Sequence, residues 1–124
     1  MRQIAALAVL ILGTANCVFG QTPHRFWDKT NVGLFSGVAT VRALDVHSTE
    51  QVLRRGGHET LLPDGLVRNR AAFSAYSAGN VTAGIGVAWV FHKTGHHKLE
   101  RWSSVVHIAF IGTLAGHNYT LRRR

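Results

Sequence analysis

The sequence predicts an all-α protein: a small transmembrane helical bundle with about three spans after an N-terminal signal peptide or anchor. Two charge-free runs and an apolar leader carry that reading. Residues 71–91, AAFSAYSAGNVTAGIGVAWVF, contain no Asp, Glu, Lys or Arg, and neither do residues 102–121, WSSVVHIAFIGTLAGHNYTL. Each is close to the roughly 20 residues that carry a helix across a hydrocarbon core. A water-soluble amphipathic helix of that length shows a charged face, and neither run has one.

Taken in order, the first element is the leader. Arg2 precedes an apolar stretch from Ile4 to Leu12, and Val18 and Gly20 flank Phe19 before Gln21. This is the layout of a secretory signal peptide over residues 1–20, or of an uncleaved first anchor. The single cysteine, Cys17, lies inside it, so residues 21–124 form one helical membrane domain with neither disulfide nor thiolate chemistry. The first span, near 30–47, is the weakest. Arg42 and Asp45 interrupt it near one end, where their spacing lets them pair on the helix surface and reach the headgroups. Residues 49–70 carry two turn signals, Gly56-Gly57 and Pro63-Asp64-Gly65, with room for a short amphipathic helix ahead of the glycines. The spans near 71–91 and 102–121 follow, joined by a short loop turning at Gly95. A mean hydropathy of +0.06 is low for such a protein. Polar loops and spans rich in Gly, Ser and Thr account for it, and a basic, soluble, helical periplasmic protein is the rival reading.

Fourteen basic residues against six acidic ones give a net charge of +8. The basic residues punctuate uncharged runs and form no basic helix, which fits anionic headgroups as partners and argues against nucleic acid. With Arg42, the 49–70 connection and the arginine tail on one side, eight basic residues face five on the other. The positive-inside rule then puts the mature N-terminus outside and the C-terminus in the cytoplasm of a bacterial inner membrane. Trp27, Trp89 and Trp102 fall near the outer interface.

Few residues offer chemistry. His92, His96 and His97 have the H-x-x-x-H-H spacing of a single histidine box from membrane di-iron desaturases, but no further box accompanies it. They are candidate metal ligands. The plainer reading makes FHKTGHHKLERW the interfacial end of a helical hairpin. His107 and His117 stand about 15 Å apart along one helix, so they cannot share a haem iron. With Asn80 they are the intramembrane polar groups, expected to hydrogen-bond between helices. Gly33 and Gly37, Gly79 and Gly86, and Gly112 and Gly116 lie on small-residue stripes that allow close helix packing or self-association. No catalytic triad, phosphate-binding glycine loop or carboxylate pair is present.

The pieces HRFWDKTN, TGHHKLERW and HNYTLRRR resemble those of small bacterial integral membrane proteins with a signal-like leader. That resemblance implies no activity and no site residue. The expected role is non-enzymatic and needs no cofactor: an accessory or structural protein acting through helix contacts, with the lipid bilayer, a second copy or a membrane protein as partner. A histidine-based metal or haem redox protein and an oligomeric pore or ion-coupled carrier are the alternatives.

Overall fold

Four helices account for the regular structure of residues 23–58 and 61–121, which the computed structural model describes: α1 (Lys29–Arg54), α2 (Asp64–Arg68), α3 (Arg70–Lys93) and α4 (His97–Thr120). The leader expected over residues 1–20, Cys17 and the tail 122–124 lie outside the described residues.

Helix boundaries follow local chemistry. Asp28 caps α1 by accepting the Asn31 amide N–H at 2.8 Å, and Asn69 caps α3 through the Ala72 N–H at 3.1 Å. Both long helices before α4 end in the same motif. At the end of α1 Gly56 takes φ +81°, with Gly56 N–H bonded to Leu53 O and Gly57 N–H to Val52 O, both at 3.0 Å. At the end of α3 Gly95 takes φ +78°, with its N–H on His92 O (3.1 Å) and the His96 N–H on Phe91 O (2.8 Å). These paired bonds satisfy carbonyls that a helix end leaves open, and the left-handed residue they require is cheapest as glycine. The sequence places the hairpin turn at Gly95, where it is found. The helix expected before Gly56 is simply the last two turns of α1.

α1 packs mainly on α4, and α3 packs on α4 as an antiparallel hairpin. α1 and α4 run parallel, because each of their ends is tied to the same end of the other. Arg101 binds Asp28 at one end, while Asn118 Nδ2 donates to Ser48 Oγ and Thr49 Oγ1 at the other. His47 Nδ1 and the Tyr119 hydroxyl meet there too, at 2.6 Å.

The interior is as polar as it is apolar. Phe35, Val38, Phe73, Ala88 and Ile111 are buried, but so are Asn31, Arg42, Asp45, Ser48, Ser77 and Glu100. Arg42 and Asp45 do pair, at 2.8 Å, yet they lie in the interior and not on the surface expected for them. Large apolar side chains meanwhile face outward, among them Val87, Trp89, Val90, Val106 and Phe110. No described helix is long and apolar enough to cross a membrane. The segments near 30–47, 71–91 and 102–121 are therefore helices, but their hydropathy does not support the spanning role. Arg42 and Asp45 break the apolar character of α1, while Gly, Ser, Thr, Asn and His dilute that of α3 and α4.

Candidate metal centre

Three segments deliver four side chains to one end of the bundle. His24 comes from the chain just before α1, and His92 from the last turn of α3. His97 and Glu100 lie one turn apart at the start of α4. The Gly95 turn makes this convergence local, since it folds His92 back toward His97 across four residues. A carboxylate in the first turn of α4 also lies where the helix dipole favours negative charge.

Glu100 is fully buried, and three imidazole nitrogens converge on a single one of its oxygens. His92 Nδ1 lies 3.0 Å from Oε2, His97 Nδ1 3.2 Å and His24 Nε2 3.4 Å. The other oxygen, Oε1, accepts a hydrogen bond from Asn31 Nδ2, which also donates to Phe26 O at 2.8 Å. The imidazole rings form a triangle with centroid separations of 4.8 to 5.3 Å. Phe26 stands against the His92 ring at 5.3 Å and walls the cluster with apolar surface.

A second tier orients these groups. His24 Nδ1 faces two acceptors, Arg25 O at 2.9 Å and Asp28 Oδ2 at 3.0 Å. A proton on Nδ1 would be shared between these two acceptors, which leaves Nε2 as the ring nitrogen turned toward Glu100. Nε2 is buried with no hydrogen-bond partner. Asp28 is fixed in turn by Arg101 at 2.6 Å and by the Asn31 N–H. Burial pushes the Asp28 carboxyl up, but the Asn31 amide, Arg101 and His24 outweigh it and hold the group below its ordinary value of 3.8.

One ligand atom from each of His24, His92, His97 and Glu100 lies within 4.8 Å of all the others. A tetrahedral shell with bonds of about 2.0–2.1 Å has edges of roughly 3.3 Å, so the histidine-to-carboxylate distances already match such an edge. Small ring rotations would close the remaining gaps between imidazoles. Three nitrogens and one oxygen suit zinc and other borderline divalent ions of the first transition row. The Asp28–His24 contact is the carboxylate–histidine pairing common behind metal ligands.

Of the three histidines singled out by spacing, His92 and His97 enter this cluster. His96 is exposed, with Nδ1 on Thr94 Oγ1 at 3.0 Å. His24 and Glu100 were missed. H97-x-x-E100 is an i, i+3 pair that a helical reading could have offered, whereas nothing local links His24 to residues 68 or more positions away. Asn80, His107 and His117 lie together along a cleft between the helices. Of the stripe glycines, Gly37 faces Ile108 and Gly112 faces Val41, while Gly33, Gly79, Gly86 and Gly116 look onto open space. Gly84, beside that stripe, is where the His107 ring packs. No protein-family model, curated protein or solved structure matches the chain.

Proposed function

We propose that this protein binds one divalent transition-metal ion through His24, His92, His97 and Glu100, in a non-enzymatic role. The observation that carries this is the convergence of three imidazole nitrogens on one oxygen of a fully buried carboxylate. Four protein ligands fill a tetrahedral shell and leave no open position for substrate, which is the pattern of structural sites and not of catalytic ones. The ion would tie the segment before α1 to the α3–α4 hairpin. The bland account of the same residues is a charge cluster in which protonated histidines neutralise Glu100.

Equilibrium dialysis of the purified full chain against zinc separates the two. The metal reading expects one zinc per chain, lost in both His92→Ala and Glu100→Gln and retained in His96→Gln. A chain that takes up no zinc, or that retains it without His92 and Glu100, is a charge cluster only.

A second observation supports seating in a bilayer. Val90, Val106 and Phe110 are 53 to 60% exposed, while Arg42, Asp45 and Glu100 are hidden. Lipid in place of water would reverse the cost of both placements. Helices that satisfy their polar side chains among themselves can tolerate a lower hydropathy than isolated spans. On this reading the metal end, with Trp27, Trp89 and Trp102 nearby, rests at the outer face of a bacterial inner membrane, and the basic ends meet anionic headgroups. Partner contacts, with a second copy or a membrane protein, would then form through the exposed apolar helix faces.

A further inference from the structure

Asn31, in the first turn of α1, is 1% exposed and reaches the histidine cluster through Glu100. Its backbone is fixed by the Asp28 cap, and its side-chain nitrogen Nδ2 faces two oxygens, Phe26 O and Glu100 Oε1. A main-chain carbonyl can only accept, so the amide is oriented by Phe26, and both Nδ2 protons are used. The amide oxygen Oδ1, by contrast, is buried with no hydrogen-bond partner. Burying an acceptor unsatisfied is costly. Its own hydrogen bonding therefore does not account for this residue. What it supplies is a pair of donors aimed at two fixed oxygens.

That aim divides the Glu100 carboxylate. Oε1 accepts from Asn31, while the three imidazole nitrogens gather on Oε2 at 3.0 to 3.4 Å. A carboxylate can bind a cation through one oxygen or through both. Through Oε2 alone, Glu100 completes a shell of four with the three histidines. Through both oxygens it would raise the shell to five. Zinc suits a tetrahedral shell of four, whereas manganese(II) favours a larger, oxygen-rich one.

We propose that Asn31 sets the metal selectivity of this centre: by holding Oε1 it keeps Glu100 monodentate and the shell four-coordinate, which favours zinc over manganese(II). Asn31 is a positioning residue, acting through Glu100 and touching no ion. The inference rests on the proposed metal centre. It adds a choice among ions that three histidines and a carboxylate do not make by themselves.

Asn31→Leu approximates the shape of the side chain and removes both donors. Cobalt(II) added to the full chain should give the intense visible bands of a tetrahedral site in the parent. In Asn31→Leu it should still bind, but with the weaker bands of a five-coordinate site. In competition dialysis the preference for zinc over manganese(II) should fall at least about tenfold, as is usual for a partner behind a metal ligand. Because Asn31 also holds Phe26 O, His24→Ala is the reference for a displaced N-terminal segment. The proposal is overturned if Asn31→Leu keeps the parent's spectrum and selectivity, or if its spectrum matches that of His24→Ala. Where the variant does not fold, the parent decides. Its infrared difference between zinc-loaded and zinc-free chain should show the wide splitting of carboxylate stretches that marks monodentate binding, and the narrow splitting of a bidentate carboxylate overturns the proposal. A parent that takes up neither cobalt nor zinc removes the metal centre itself, and this inference with it. A tetrahedral parent with an indifferent Asn31→Leu removes only the role of Asn31.

Discussion

Asp28 joins three functions in one side chain: it caps α1, pairs with Arg101 and faces Nδ1 of His24. Replacing it with asparagine keeps the size and a capping oxygen but removes the charge beside His24 Nδ1. Loss of such a partner behind a metal ligand typically weakens binding about 10–100-fold. Asp28→Asn should therefore lower zinc affinity by that factor in equilibrium dialysis while helicity stays unchanged. Unchanged affinity would remove Asp28 from the site. The same residue sets an acid dependence. Its carboxyl titrates below 3.8 in the folded chain, so its contribution to stability is present above the unfolded value and is lost as pH falls through the folded one. Thermal melts below about pH 4 should thus show the parent losing stability toward the Asp28→Asn variant, with the two diverging above that range. Parallel pH profiles would show that the carboxyl has no special folded environment.

At the scale of elements, much of the architecture is legible in the chain. Asp28 and Asn69 ahead of helical runs, and Gly56 and Gly95 after them, mark ends that are found where local hydrogen bonding demands them. What is not legible is which face of each helix turns inward. Arg42 and Asp45 look like a surface pair by spacing, and only the docking of α1 along α4 buries them. The glycines show the same limit. Gly79 and Gly116 sit on small-residue stripes yet face open space, whereas a Cβ at Gly84 would come within 2.8 Å of His107 Nδ1. Alanine in an exposed helix interior gains about 1 kcal/mol over glycine. Gly79→Ala and Gly116→Ala should each raise the melting temperature, and Gly84→Ala should lower it because the His107 ring must move. Equal shifts at all three positions would mean that α3 and α4 do not approach closely at Gly84. For the centre itself, His97 and Glu100 share one helix turn and are readable from sequence. His24 reaches the cluster because Asp28 and Arg101 pin the N-terminal segment onto α4.

For the whole molecule, two ends do different work. One gathers His24, His92, His97 and Glu100 under Phe26, and the other is tied by Asn118 and Tyr119 to α1. Between them the bundle hides charge and displays apolar side chains, which is the basis for seating it in lipid. A chain so seated should resist alkaline carbonate extraction from membranes, and its release into the supernatant would sink the bilayer reading while leaving the metal centre intact. The metal centre is the central claim, and its most direct test is the visible spectrum of the cobalt(II)-substituted full chain. One equivalent of cobalt should produce the intense bands of a tetrahedral site, and His24→Ala should abolish or reshape them despite lying 68 residues before His92 in sequence. Weak octahedral bands in the parent, or a tetrahedral spectrum indifferent to His24→Ala, would contradict the four-ligand site.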